Sequence, residues 1–285
     1  MTNISYIKGF EIKPSKINAN GIVTFTDGVN EITPNQVQCE RYGYTYDNVS
    51  RVCKAFTYTR DINIKNKFAK NNVQGDDNTI VQGANNTYVM GEKNILNTGT
   101  RNNIVVGINH NVDNKVQNTT SFGIGANALH TGAMFMGGNN LDDKYGTRQV
   151  FNVIYGCQTR DNVLTDSLPN NGLYENVILE VNKGYYFQSE TMAIRVGGSS
   201  GTGAVGDFKA WVERGVVLIN NSGVGSISRS RTSPASNGLG LSGWSPINAV
   251  NNNLFRQTVT GATDMTIEWV SHIRFVQLFT GVSIP

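Results

Sequence analysis

The sequence predicts an all-β protein in which a Gly/Asn-rich octad-repeat β-roll, expected to be trimeric, precedes an antiparallel β-sandwich. Three observations support this fold class: a composition of turn residues, an eight-residue repeat, and longer alternating segments towards the C-terminus. The 285 residues include 37 Asn and 31 Gly, whereas charged residues make up only 16%. Because Gly and Asn tolerate left-handed backbone conformations, this composition favours turn-rich β-structure over helices.

The middle of the chain repeats every eight residues. Asparagine recurs at the same interval as glycine, and the positions are Gly75, Gly83, Gly91, Gly99 and Gly107, and Asn78, Asn86, Asn94 and Asn102. Eight residues suffice for a short strand and a tight turn, but a helical repeat needs more than twice that length. We therefore expect a β-roll over residues 71–141, in which two octads make one coil.

The sixth position of each octad is apolar and predicts a packing stripe. Its occupants are Ile80, Tyr88, Leu96, Ile104 and Val112. A roll this narrow has little interior, while each ordered residue costs about 1–2 kcal/mol of conformational entropy. We therefore expect these five side chains to pack between identical chains around a common axis, as a trimeric stalk.

Beyond the repeat, residues 142–285 read as longer strands. In the segment Met265–Leu278, Ile267 and Trp269 alternate with Glu268 and His272, so that apolar and polar side chains face opposite ways. Such segments, joined by turns rich in Gly, Ser and Asn, are typical of an antiparallel sandwich.

Two stretches resemble known families. The Gly/Asn octads resemble the heads of trimeric autotransporter adhesins of the YadA type and repeats in bacteriophage tail fibres. The stretches AIRVGGSSGTGAVGDFKAWVERG and TVTGATDMTIEWVSHIRFVQL are similar to C-terminal domains of phage tail fibres. In the second, Gly261 and Trp269 match the family's pattern, whereas Glu268 stands where the family often has Arg. We expect neither a signal peptide nor a membrane span, which favours the phage fibre over a secreted adhesin.

The predicted function is therefore that of a structural fibre or adhesin of a bacteriophage virion, made in the host cytoplasm. It would bind a host receptor or form a tail, collar or capsid fibre. The expected partners are two further copies of the chain, other virion proteins through residues 1–70, and a host cell-surface glycan or protein. A net charge of +3 without a dense basic block argues against nucleic acid as a partner. The alternatives are a glycan-degrading phage tailspike and a cellular surface adhesin.

We expect no enzymatic activity, no catalytic residues, no cofactor and no metal. Glycoside hydrolysis needs two carboxylates about 5–9.5 Å apart, and the acidic residues of the roll lie at turns, where Asp is favoured for backbone reasons. These residues are Asp76, Asp77, Glu92 and Asp113. The three histidines, His110, His130 and His272, are expected to be structural.

Receptor contact is predicted for the segment Asn220–Trp244, read as a long loop between sandwich strands. It carries Arg229, Arg231 and Trp244. Arginine pairs with anionic groups in bidentate fashion, and an exposed tryptophan stacks on sugar rings. The alternative is a mobile or inter-subunit loop without a ligand.

The pairing of Cys39 and Cys53 stays open at this stage. Their spacing permits a local disulfide, whereas synthesis in a reducing cytoplasm favours free thiols.

Overall fold

The protein is described by a computed structural model covering residues 12–18, 20–55, 70–138, 144–169, 176–199 and 201–279. The chain forms two compact units, residues 1–68 and 69–285. Parts of the predicted docking region and the predicted boundary at residues 141–142 lie outside the described ranges. Within those ranges, no helix has the length and apolar character needed to cross a bilayer.

The first unit is small and contains a disulfide. Its elements are β1 (Lys13–Ile17), β2 (Val23–Thr26), β3 (Glu31–Ile32), α1 (Gln36–Arg41), β4 (Thr45–Asp47) and β5 (Val52–Lys54). Strands β1, β2 and β3 form one antiparallel sheet, and β4 pairs with β5. Cys39 and Cys53 are joined by a disulfide and lie fully buried beside Val23 and Phe25. The pairing that the sequence left open is therefore formed, and it occupies the centre of this core.

The second unit begins with a β-solenoid of about four turns. One sheet contains the parallel strands β6 (Asn72–Gln74), β8 (Tyr88–Glu92), β10 (Ile104–Ile108), β12 (Thr120–Ile124) and β14 (Met134–Gly138). The other contains β7 (Thr79–Ile80), β9 (Ile95–Leu96), β11 (Asn111–Val112) and β13 (Asn127–Ala128). Ile104 lies opposite Tyr88 and Thr120, so each turn of the solenoid takes sixteen residues, the length of two octads.

The two octads of a coil are not equivalent, as their glycines demonstrate. A Cβ on Gly107 would lie 2.0 Å from the carbonyl oxygen of Gly123 in the next coil, so only glycine fits there. A Cβ on Gly99 would meet nothing closer than 3.4 Å, and Lys115 occupies the same position one coil later with a φ of 61°. One glycine of each pair is thus required by close backbone approach, and the other by a turn.

The asparagines divide in the same way. Asn94 is fully buried, and its amide nitrogen donates to Asn78 Oδ1 and to the Gly107 carbonyl, each at 2.9 Å. Its Oδ1 accepts from the backbone N–H of His110 at 3.0 Å. This interior ladder satisfies the backbone where the chain turns from one sheet to the other.

The alternate asparagines form a second ladder on the surface. Asn86 donates to Asn102 at 2.6 Å, and Asn102 donates to Asn118 at 3.0 Å. All three have a positive φ of 53–54°. Asparagine is favoured here because it tolerates the left-handed conformation, and its amide stays at the surface.

Because the two octads of a coil differ, the residues of the predicted packing stripe fall into two groups. Leu96 and Val112 are fully buried inside a single chain, and Ile80 packs against the same core, so these three do not line an outer surface. Tyr88 and Ile104 lie on the other sheet and point outwards, with Ile104 45% exposed. The reason is that the sixth octad position faces inwards in one half of the coil and outwards in the other. The residues that fill the interior instead include Val89, Val105, Ser121 and Phe135.

The C-terminal strands continue the solenoid sheet. They are β15 (Arg148–Thr159), β16 (Leu164–Pro169), β17 (Val177–Ile178), β18 (Lys183–Gly197), β19 (Phe208–Ile219), β20 (Gly225–Asn237), β21 (Ser245–Asn251), β22 (Leu254–Thr260) and β23 (Thr266–Phe279). Strand β15 pairs antiparallel with β14, and the sheet extends through β23, β18 and β19 to β20 at the edge. The switch from parallel to antiparallel pairing thus takes place within one sheet.

A smaller sheet of β16, β17, β21 and β22 covers the inner face of this large sheet. Phe255 packs against Phe187 and Phe275 at ring distances of 5.2 and 4.9 Å. One hydrophobic cluster runs from Val89 in the solenoid to these rings. The prediction of a roll followed by a sandwich is corrected accordingly: the all-β class is confirmed, but the C-terminal layers share their sheet and core with the solenoid.

Candidate functional site

A cavity of about 330 Å³ opens on the outer face of the large sheet, where β19, β18 and β23 run side by side. Its lining is Glu190, Thr191, Met192, Ala210, Trp211, Val212, Pro234, Val270 and His272. The volume falls within the range of about 300–1,000 Å³ that small-molecule sites occupy. Most of the lining is apolar, and two ionisable side chains lie within it.

Those two side chains form an acid–imidazole pair. Glu190 on β18 and His272 on β23 are direct cross-strand partners, and Nδ1 of the imidazole lies 4.0 Å from Oε2 of the carboxylate. Both are about half exposed, with relative side-chain accessibilities of 55% and 45%. Gln188 donates to Oε1 of Glu190 at 2.8 Å, which leaves Oε2 directed at the imidazole.

One wall of the cavity is made by a β-bulge. The register between β19 and β20 shifts after Ala210, and Trp211 faces Pro234 across the irregularity. Proline has no N–H to give to the ladder, so strand pairing is interrupted at such a residue. Trp211 itself is almost fully buried and stacks on Trp269 at 5.6 Å, which holds the wall rigid.

A carboxylate beside an imidazole can hold the ring in one orientation while the ring gives or accepts a proton. The apolar walls suit the carbon–hydrogen faces of a ligand, and the opening to solvent admits one without a conformational change. The arrangement is therefore chemically competent for general acid–base work on a small polar substrate.

A second concave surface runs along the edge of the solenoid and has a volume of about 350 Å³. Its lining is Lys70, Asn72, Asn86, Thr87, Tyr88, Asn102, Asn103 and Ile104. The amides supply hydrogen-bond donors and acceptors, and Tyr88 adds an aromatic ring with a polar tip. This groove has the chemistry of a binding surface, without a base or acid pair.

The predicted receptor-contact segment differs in structure from the expected loop. Asn220–Trp244 is not a long loop, because its central part is β20, which pairs along the whole of β19. Trp244 is only 1% exposed and packs near Trp269 with ring centroids 6.3 Å apart. The expectation of an exposed tryptophan that stacks on sugars is therefore wrong.

The two arginines of that segment are engaged by the protein itself. Arg229 forms an ion pair with the buried Glu213 at 2.9 Å, and that carboxylate also accepts from Asn248. Arg231 donates to Ser245 Oγ at 2.9 Å and to a neighbouring backbone carbonyl. Both side chains thus anchor β20 to the strands beneath it, and a role in receptor contact stays a prediction.

The other two histidines lie within the solenoid. His110 takes an asparagine's place in the interior ladder, where its Nδ1 accepts from the Ala126 N–H at 3.0 Å and burial lowers its pKa. His130 packs beside Phe135 and Phe151, and burial there lowers its pKa to about 4. Both imidazoles are enclosed by the solenoid, whereas that of His272 is 45% exposed.

The acidic residues of the solenoid lie at its turns, except Glu92, which ends β8. Asp76, Asp77 and Glu92 are exposed, and Asp77 has a positive φ of 54°. Asp113 is half-buried and accepts from the N–H of the next residue at 2.8 Å. In the described ranges, no three His, Cys, Asp or Glu side chains come together in a way that could hold a metal ion.

Sequence reasoning missed the Glu190–His272 pair. The alternation of Met265–Leu278 places His272 on a polar face, and that of β18 does the same for Glu190. Nothing in the sequence sets the register that brings these two faces side by side. The only indication in the sequence is that each residue lies on the polar face of a long strand, which does not predict that the two strands are neighbours.

Comparison with known proteins gives limited similarity. No protein-family profile matches the chain, and no curated protein matches it. Among solved structures, the Acinetobacter baumannii phage AM24 tailspike protein is 10% identical with a TM-score of 0.28, covering 72% of this chain and 43% of that one. A tailspike protein of Acinetobacter baumannii bacteriophage Fri1, described as a capsular polysaccharide depolymerase, is 9% identical with a TM-score of 0.26, covering 76% and 39%. A third, from an Acinetobacter phage, is 9% identical with a TM-score of 0.19, covering 73% and 49%.

The chain thus spans less than half the length of each of these proteins. All three are bacteriophage tailspikes, and none is a YadA-type adhesin. The expectation that the chain is not an enzyme is contradicted, because one of these neighbours is described as a depolymerase. We do not retain that expectation.

Proposed function

We propose that this chain is part of a bacteriophage tailspike that binds a host surface polysaccharide in the cavity of β18, β19 and β23 and cleaves it there. The observation that carries the proposal is the Glu190–His272 pair, aligned on adjacent strands inside an open, largely apolar cavity. The substrate class is taken from the description of one tailspike neighbour as a capsular polysaccharide depolymerase.

In this proposal His272 gives a proton to the glycosidic oxygen as its bond to the anomeric carbon breaks, a water molecule supplies the hydroxyl group to that carbon and returns a proton to the ring, and Glu190 orients the imidazole. At 4.0 Å the two groups are too close to act separately on opposite sides of a glycosidic bond, where two carboxylates stand at least about 5 Å apart. They fit a single acid–base unit in which the carboxylate orients the imidazole. Met192 and Val270 would contact the sugar ring beside the reacting bond.

The test is release of new reducing ends from purified host capsular polysaccharide. We expect His272→Ala to lower the rate by about 10²–10⁴-fold, the usual contribution of a general acid–base group. Glu190→Gln should lower it less, since the imidazole remains. Glu268→Gln is the matched control, because Glu268 is also exposed and accepts from a neighbouring amide, that of Gln158. Undiminished cleavage by His272→Ala, or no cleavage by the wild-type chain, would refute this assignment.

A second candidate function is attachment without cleavage, as in a receptor-binding fibre. The solenoid groove favours it, because Tyr88 lies beside a ladder of surface amides in a cavity of about 350 Å³. Tyr88→Ala would then reduce adsorption to host cells while leaving reducing-end release unchanged. Equal adsorption by the variant and the wild type would dismiss the groove.

We also propose that three copies assemble through the outer face of the solenoid, within a virion. From the second coil onwards this face exposes apolar side chains, namely Met90, Ile104, Phe122, Ile124, Met134 and Met136. Large contiguous apolar patches are uncommon on monomeric proteins and mark association surfaces. A native mass near three times 31.1 kDa by light scattering supports this assembly, and a monomeric mass contradicts it.

We propose a separate role for each of three segments: residues 1–70 attach to the particle, residues 71–141 form the stalk, and residues 142–285 form the tip. Two hairpin tips of the first unit favour its role as an attachment unit. Val29 and Val49 are 90% and 97% exposed there. In each tip an aspartate, Asp27 or Asp47, accepts from the valine N–H at 2.9 Å and fixes the turn. Other virion proteins would contact these tips.

A further inference from the structure

A line of polar side chains crosses the outer face of the large sheet next to the cavity. Asn152 on β15 pairs with Arg274 on β23, Arg274 with Gln188 on β18, and Gln188 with Arg214 on β19. All four point outwards, and both arginines are exposed. We refer to Asn152, Arg274, Gln188 and Arg214 as the arginine row.

The positive charge of this row is not neutralised nearby. Among the described residues, neither Arg214 nor Arg274 has a carboxylate within ion-pair distance. The acid in the adjacent line, Glu190, accepts from Gln188 and faces His272 instead. Since neighbouring strands lie about 4.8 Å apart, the two arginine-bearing strands are separated by roughly 10 Å.

The row is flanked by a different line of side chains on each side. On one side lies Tyr186, whose cross-strand partners are Val216 and Val276. On the other side lie Glu190, His272 and Val212, which line the cavity. A guanidinium is weakly hydrated and matches a carboxylate in bidentate geometry.

We propose that the arginine row binds the carboxylates of an acidic saccharide, so that the substrate of the adjacent cavity is an anionic polysaccharide. This inference deepens the proposed function and rests on it. Arg274 and His272 are two residues apart on β23, which places the row about 7 Å from the acid–base pair. The carboxylate of the bound sugar therefore lies close to the bond to be cleaved. Tyr186 supplies an aromatic face beside it.

The experiment measures binding of tetragalacturonate and of its fully methyl-esterified, neutral form to the full chain by calorimetry, with maltotetraose as a second neutral tetrasaccharide. We expect tetragalacturonate to bind, with an affinity that falls as salt is raised, and both neutral tetrasaccharides to bind at least ten times more weakly. The double variant R214Q/R274Q should lose about 10- to 100-fold in affinity for the acidic sugar, the range for hydrogen bonds to charged groups. Arg101→Gln, an exposed arginine on the solenoid, is the matched control.

Each contrary outcome is distinct. Failure of tetragalacturonate to bind, or equal binding to the double variant, overturns the arginine row whether or not the chain releases reducing ends from host polysaccharide. Loss of the native oligomeric mass in R214Q/R274Q would mean that the row meets an acidic surface of another copy, which also overturns it. The variant R214K/R274K keeps the positive charge but not the planar set of guanidinium donors. An affinity between those of the wild type and R214Q/R274Q would indicate bidentate hydrogen bonding in addition to charge attraction.

Discussion

The two asparagine ladders predict a difference between residues that the octad pattern treats as identical. Asn94 and Asn102 occupy the same position in successive octads, yet the first is fully buried and the second lies at the surface with a φ of 54°. Replacing each by glycine makes the same chemical change in two environments. We expect Asn94→Gly to be severely destabilising and Asn102→Gly to be nearly neutral.

The magnitude follows from the bonds of Asn94. Its removal leaves the buried N–H of His110 unsatisfied, which costs about 1–3 kcal/mol, and deletes two further bonds worth about 0.5–1.5 kcal/mol each. Glycine in place of a side chain within ordered structure adds about 0.5–1 kcal/mol. The sum is about 2.5 to 7 kcal/mol, a large fraction of the total stability of an ordinary domain.

At Asn102 the amide bonds are exchanged for bonds to water, and glycine adopts the positive φ without strain. The expected change is therefore within about 0.5 kcal/mol of the wild type. Urea unfolding followed by fluorescence of the tryptophans in the second unit measures both variants, because the solenoid and the C-terminal strands share one hydrophobic cluster. Equal destabilisation by the two substitutions would refute the distinction between interior and surface ladders.

Two further predictions concern the disulfide and the buried histidines. Reducing the Cys39–Cys53 disulfide, which spans 14 residues, should destabilise the first unit by about 3 kcal/mol. The loss is measured as faster proteolysis of that unit after reduction. As a control, Cys157→Ser should leave the protease resistance of the first unit unchanged. Because burial lowers the folded-state pKa values of His110 and His130 below 6.5, the unfolded chain binds protons first as pH falls. Stability should therefore decline from about pH 6.5 towards pH 4, by up to about 3 kcal/mol for His130 alone. His130→Phe should flatten this decline in urea titrations at several pH values, and an unchanged slope would contradict the argument.

The prediction of a single packing stripe was wrong, because it placed the sixth position of every octad on the same side of the solenoid. The period of eight is real, but successive octads turn different sides to the interior, so Leu96 is core while Ile104 is surface. Which half of a coil faces inwards depends on how the two sheets close on each other, and local propensity does not encode that closure.

The candidate site was hidden for a related reason. Glu190 and His272 stand on strands far apart in sequence, and they meet only because β18 and β23 pair in a particular register. A shift of one residue between these two strands would leave Glu190 and His272 on opposite faces of the sheet. Likewise, a tryptophan can stack on a ligand or fill a core, and residue type alone does not predict which of these Trp244 does.

By itself, the sequence determined the β class, the sixteen-residue coil and the need for glycine and asparagine, because these follow from backbone geometry within a few residues. The tertiary structure decided which asparagines are buried, that the C-terminal strands extend the solenoid sheet, and that an acid, an imidazole and two arginines share one outer face. The physical reason is that sheet register and layer packing are set by contacts between distant segments. Such contacts depend on the whole core and leave no periodic trace along the chain.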